Sequence, residues 1–153
     1  MSLEIGVVAI KEQDYMGIRA VVEVSAIPAK MGELFGELFG FVGRNGIQLV
    51  GPPFAYYHSF SPEKIDMECG VPVSLPIEGE GRVQAGKLPS GNALRAVHIG
   101  PYDRLEETYN AMMAYAKEMD INLEEAMWEY YLTDPNSEPD PSKWVTEIFV
   151  LVR

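Results

Sequence analysis

Gly17-Ile18-Arg19-Ala20-Val21-Val22 has an echo in Asn92-Ala93-Leu94-Arg95-Ala96-Val97, and Phe54-Ala55-Tyr56-Tyr57-His58 has one in Trp128-Glu129-Tyr130-Tyr131-Leu132. A third match follows in the same order: Met67-Glu68 and Thr146-Glu147 each open a last strand. Each match is short, but their shared order indicates an internal duplication. The halves run from about 3–75 and 91–153, joined by a connector over 76–90. Each reads strand, helix, strand, strand. The expected fold class is α+β: two β-α-β-β halves forming an antiparallel sheet, with two main helices on one side and pseudo-two-fold symmetry. The whole chain, 1–153, is then a single domain.

Working outward, residues 3–11 and 17–25 are rich in β-branched side chains and read as strands, with Asp14 and Gly17 in the turn between them. Pro28 opens a helix, where its missing N–H costs nothing. Met31, Leu34, Phe35, Leu38, Phe39 and Val42 recur at helical spacing and predict its buried stripe. Gly32, Gly36 and Gly40 lie four apart on a neighbouring face, which suggests close approach to another backbone. Asn45-Gly46 ends this helix. Strands follow at Phe54–Phe60 and Ile65–Val73. Residues 74–90 concentrate glycine, proline and charge, with a short strand near Val83. Gly91–Ile99 is a strand, and Pro101 to about Met119 a helix with Tyr102, Leu105, Tyr109, Met112, Ala116 and Met119 inward. Asn122 with Glu125 reads as a capping pair for one further helical turn. Trp128–Thr133 and Trp144–Val152 are the last strands.

The chain has 153 residues, 47% hydrophobic and 23% charged, with a net charge of −11. That composition suits a packed domain and opposes direct nucleic-acid binding or adhesion to an anionic membrane surface. Residues 103–140 hold 11 acidic and 2 basic residues, a local net charge of −9. The segment reads as a solvated face, a funnel for cations, or a surface that mimics DNA. A single cysteine, Cys69, cannot form an internal disulfide, so a reducing, cytoplasmic setting is expected. Two histidines and one cysteine give no typical structural zinc set, and neither a metal nor a cofactor is expected. There is no apolar run of membrane-spanning length and no leader-like N-terminus.

Motifs for a serine elbow, a zinc helix, a redox cysteine pair or a phosphate loop are absent from the sequence. The segment with chemical potential is Trp128–Leu132. Strand alternation puts Glu129 and Tyr131 on one face, and Ala55 with Tyr57 on the corresponding face of the other half. A carboxylate among aromatic rings has two readings. Either it points to solvent or pairs with a basic side chain, or it waits for a cationic ligand held by Coulomb attraction and aromatic faces. Trp144 is a candidate site wall or a core residue. Glu68 and Glu147 read as equivalent strand residues that support the fold by hydrogen bonds or face the ligand. His98 reads as a hydrogen-bonded strand end or as a base.

The ordered set His98-Ile99-Gly100-Pro101-Tyr102-Asp103, Trp128 through Pro135, and Thr146-Glu147-Ile148 resembles the GyrI-like small-molecule-binding domain. Tyr57-His58 and Glu68 through Val73 fit the first half of that domain. The resemblance spans nearly the whole chain. It is similar to the ligand-sensing part of AraC-type and MerR-type multidrug regulators. It implies an aromatic-lined site with a central glutamate, Glu129 by motif position. Tyr57, Tyr131, Trp144, Glu147 and Ala55 are the remaining expected ligand-binding residues. The fold opens within a few residues of Met1 with no DNA-binding helix-turn-helix, so a standalone binder of hydrophobic, cationic aromatic compounds is expected. The resemblance leaves catalysis open: a hydrolase of cyclopropane-bearing toxins would use Glu129 and Tyr131. A third reading is an acidic module that engages DNA gyrase or a partner regulator.

Overall fold

The computed structural model describes residues 4–153. Its strands are β1 (Glu4–Ile10), β2 (Gln13–Glu23), β3 (Phe54–Phe60), β4 (Lys64–Pro72), β5 (Gln84–Leu88), β6 (Gly91–Ile99), β7 (Leu123–Tyr131) and β8 (Val145–Val152). Its α-helices are α1 (Ile27–Arg44) and α2 (Leu105–Glu118). The strand pairings are antiparallel and the fold is α+β.

The chain divides into two compact units: Lys11–Ser90, and β1 together with Gly91–Arg153. In the first, the strand order is β3-β4-β2-β5; in the second, it is β1-β6-β8-β7. Each therefore contains one β-α-β-β motif, β2-α1-β3-β4 or β6-α2-β7-β8. Each also gains one outer strand, β5 on β2 or β1 on β6. So β1, assigned by sequence to the first half, pairs with the second. The 76–90 stretch expected as a connector holds β5. Asp14 and Gly17, expected in a turn, lie inside β2. The close approach of backbones explains the glycine: a Cβ at Gly17 would sit 2.9 Å from both the Cys69 carbonyl and Glu68 Oε2.

The helices end alike. In α1, Gly46 adopts φ +60° and Ile47 N–H donates to the Val42 carbonyl. In α2, Asp120 adopts φ +55° and Ile121 N–H donates to the Ala116 carbonyl. Both bonds close a left-handed C-terminal cap. This cap stops α2, so Asn122 does not start the expected extra helical turn; β7 begins at Leu123 instead.

Leu34, Leu38 and Phe41 are the buried residues of α1, so its inward stripe is rotated from the predicted one and Phe39 is 44% exposed. The glycine face looks outward. A Cβ at Gly32 or Gly36 would meet nothing within 4 Å, contrary to the expected backbone contact. In α2 the inward residues are Thr108, Met112 and Ala116, and Met119 is exposed. Helix α1 packs on β2 and β4, whose Met16, Ile18, Met67, Cys69 and Val71 are fully buried.

The helix-free side of the first unit combines the charged Arg19, Asp66 and Glu68 with the buried rings of Tyr15 and Phe54. Arg19 donates two hydrogen bonds to Asp66, at 3.0 and 2.8 Å. These bonds hold the Asp66 carboxyl below its ordinary value of 3.8. A depressed carboxylate stabilises the fold fully above its unfolded pKa and loses that contribution as pH falls through the folded pKa. Asp66→Asn is therefore expected to lower the urea midpoint at pH 7, with the gap to wild type closing as the pH falls below the ordinary carboxyl value of 3.8 and through the lowered folded one. A gap independent of pH would assign the loss to something other than this ion pair.

Candidate functional site

Hydrogen-bond register between strands aligns the two repeats more firmly than letters do. Glu23 pairs with Lys64, and Ile99 with Val145; one step outward, Val24 N–H donates to the Glu63 carbonyl and Gly100 N–H to the Trp144 carbonyl. From that anchor Arg19 corresponds to Arg95, Asp66 to Glu147, and Tyr57 to Glu129. The ion pairs agree: Arg19 meets Asp66, and Arg95 donates to Glu147 at 2.6 Å. Glu68 is thus the counterpart of Phe149, not of Glu147. The letter-by-letter matches of β3 with β7 and of β4 with β8 are displaced by two residues. A displacement of two keeps each side chain on its face.

In the second unit, β7 and β8 pair Glu129 with Ile148 and Tyr131 with Thr146; β6 pairs His98 with Thr146. These residues share the side facing α2, because His98 on that side meets Thr108 of the helix at 2.7 Å. Both ring nitrogens of His98 are engaged. The Pro101 carbonyl only accepts, so Nε2 carries the proton and donates at 3.0 Å, leaving Nδ1 to accept from the Thr108 hydroxyl. His98 is thereby the fastening of strand to helix.

Glu129 is 3% exposed. Around the same end of the α2-facing side are three half-buried rings. Tyr102 stands in the short 3-10 turn before α2, with its ring centroid 5.7 Å from Tyr131 and 5.0 Å from Trp144. Trp144 Nε1 donates to the Glu138 carbonyl at 2.8 Å, which fixes the indole to the β7–β8 loop. The Tyr102 phenol pKa is raised, first by burial and then by the charges of Glu129 and Asp134. The Tyr102 hydroxyl therefore lies within Coulomb range of Glu129. A carboxylate with three aromatic rings on one side of a sheet can hold an organic cation and can hydrogen-bond through phenols.

Within this unit the expected site residues do not all share one side. Glu129, Tyr131 and Trp144 share this side. Glu147 lies on the opposite side of the same strands, tied to Arg95, which also donates to Glu4 at 3.1 Å. That opposite side has its own aromatic group. Trp128 stacks on Phe149 at 5.7 Å and Tyr130 meets Phe149 edge-on at 5.8 Å. Burial and the charge of Glu147 push the Tyr130 phenol up to about 12. Ala55 and Tyr57 belong to the other unit, on the α1-facing side of β3, where Tyr57 stacks on Phe60 at 5.7 Å. Glu68, also in that unit, accepts from His58 at 2.9 Å and is bonded by Tyr15, a fold-supporting network.

Tyr102 was read as part of the helical stripe and so missed as a site residue. Gly100-Pro101 carries the missing signal: Pro101 is extended at ψ 156°, and the α-helix starts only at Leu105. No group of three or more metal-ligating side chains occurs among the described residues.

Residues 3–153 match the family model of the GyrI-like small molecule binding domain. The chain belongs to that family. No curated protein matches it in sequence. Among solved structures, the EcmrR C-terminal domain aligns with a TM-score of 0.82 at 22% identity, covering 100% of this chain and 99% of that one. EcmrR in its DNA complex aligns at 0.85 and 23% identity, covering 99% of this chain and 57% of that one. The GyrI-like chain thus spans little more than half of EcmrR's length. A hydrolase encoded by lin2189 from Listeria innocua aligns at 0.70 and 12% identity, covering 98% and 92%. SAV2435, solved bound to tetraphenylphosphonium, aligns at 0.67 and 11% identity, covering 98% and 94%. At these identities the likeness is one of fold. No helix among the described residues is long and apolar enough to cross a membrane.

Proposed function

We propose that this GyrI-like protein binds hydrophobic, cationic aromatic molecules on the α2-facing side of β7 and β8, for sensing or sequestration of drug-like or toxic cations in the cytoplasm. The observation that carries the reading is Glu129, 3% exposed, on the same side as Tyr102, Tyr131 and Trp144. A fixed negative charge in a region of low dielectric attracts a cation far more strongly than one in water. The rings add cation–π attraction and apolar area. The tetraphenylphosphonium held by SAV2435 supports the ligand class. A reducing compartment agrees with the lone thiol of Cys69, buried and pushed up to about 12.

Calorimetric titration with tetraphenylphosphonium and with neutral triphenylphosphine oxide tests this. Saturable binding that favours the cation by about tenfold or more is expected. Equal affinity for the two would remove the electrostatic basis.

Catalysis is a second reading, favoured by the Tyr102 phenol in the field of Glu129. Glu129 would activate a water and a phenol of Tyr102 or Tyr131 would stabilise the developing anion. The Listeria innocua hydrolase that shares this fold supports the class of reaction. Turnover of a cyclopropane-bearing aromatic electrophile, read as a water adduct by mass spectrometry above the buffer rate, would establish it.

A further inference from the structure

Thr146 is fully buried, and its Oγ1 has no hydrogen-bond partner among the described residues. Buried hydroxyls almost always find one. The neighbours explain the deficit. His98, directly across on β6, has spent both ring nitrogens on Pro101 and Thr108. On β7 the partner in register is Tyr131, a half-buried ring facing Tyr102. Two residues earlier in the chain, on the same side, is Trp144, which Tyr102 also touches. The hydroxyl is therefore flanked by the aromatic group of the candidate site, one diagonal step from Glu129.

The other repeat shows that the fold does not need a polar group here. By strand register the counterpart of Thr146 is Ile65, buried and apolar. The same position is filled by a hydrocarbon in one unit and an unsatisfied hydroxyl in the other. An unsatisfied buried hydroxyl works against stability, which points to a use outside folding.

We infer that Thr146 is a ligand-contacting residue that, with Glu129, selects organic cations bearing N–H groups over fully substituted ones. The inference rests on the cation-binding reading of this side and sharpens it. Carboxylate and hydroxyl oxygens both accept hydrogen bonds. Diagonal neighbours on a sheet stand about 7 Å apart, and the long glutamate side chain shortens the gap to what one ammonium or amidinium can bridge. The expectation is not trivial. A primary ammonium is more strongly hydrated than a quaternary one, so a site of rings and one carboxylate favours the quaternary ion. A buried acceptor beside the carboxylate, such as the unpartnered Thr146 hydroxyl, reverses that order.

The test uses 4-phenylbenzylammonium and its trimethylammonium analogue, which share one aromatic body. They are titrated calorimetrically into wild type, Thr146→Val, Thr146→Ser and Glu129→Gln. Wild type and Thr146→Ser are expected to prefer the N–H cation by about tenfold. Thr146→Val is expected to bind the two alike, to keep the trimethylammonium affinity, and to melt no lower than wild type. No preference in wild type, or a preference surviving in Thr146→Val, overturns the role of Thr146. A large fall in melting temperature in Thr146→Val also overturns it, because the hydroxyl would then belong to the fold. If both cations bind and both need Glu129 but neither is preferred, the inference fails and the cation site stands. If neither binds, both fail.

Discussion

Glu129→Gln weakens binding of a lipophilic aromatic cation by about 30-fold or more and changes affinity for a neutral analogue by about twofold at most. The substitution keeps the shape, turns one acceptor oxygen into an amide donor, and removes the charge. Removing one partner of a desolvated charge pair costs on the order of 2 kcal/mol or more, and each 1.4 kcal/mol is tenfold in affinity. Burial of Glu129 at 3% exposure keeps solvent from screening that attraction. Paired titrations on wild type and variant read the ratio directly. An equal loss for cation and neutral probe would mean that the variant had altered the shape of the site. No loss for either would mean that Glu129 is not where the ligand binds.

The second large effect is on folding. Phe54→Ala should lower stability by about 3–5 kcal/mol, the usual cost of emptying a buried aromatic position. The ring is fully buried and pairs in register with Gly70; a Cβ there would meet Phe54 Cζ at 2.5 Å. Glycine is needed at position 70 because the ring lies on its backbone. Tyr15 closes the other side, edge-on at 5.0 Å. Neither neighbour can fill the space left by the ring, since Tyr15 is held by its hydrogen bond to Glu68. For a chain of this length the loss corresponds to a fall in melting temperature on the order of 10 °C. Calorimetric melting measures it, and a loss under about 1 kcal/mol would show that the β3–β4 core repacks freely.

The strand and helix content was legible because the apolar periods are long and glycine and proline punctuate them. The face shared by Glu129 and Tyr131 was legible for the same reason, since alternation along one strand is local. Glu147 was not, because whether it shares a side with Glu129 depends on the β7–β8 register. Tyr130, not Glu129, stands opposite Glu147. The two-residue error in the repeat match has a similar origin. Phe-Ala-Tyr-Tyr and Trp-Glu-Tyr-Tyr agree by letter, yet the main-chain bonds pair Tyr57 with Met67 just as Glu129 pairs with Ile148. Partners of β1 and β5 depend on contacts distant in sequence, which local pattern does not encode. A Cβ at Gly32 or Gly36 of α1 would meet nothing within 4 Å and one at Gly40 only the Arg44 side chain, and we have no physical account of their spacing.

The central claim is a location: a cation beside Glu129, on the α2-facing side of β7 and β8. The two sides of these strands carry different rings, which makes the claim directly measurable. Intermolecular nuclear Overhauser effects between bound tetraphenylphosphonium and assigned aromatic protons distinguish them. Contacts to Tyr102, Tyr131 and Trp144 are the predicted result. Contacts confined to Trp128, Tyr130 and Phe149, on the side where Glu147 is bound to Arg95, would contradict it.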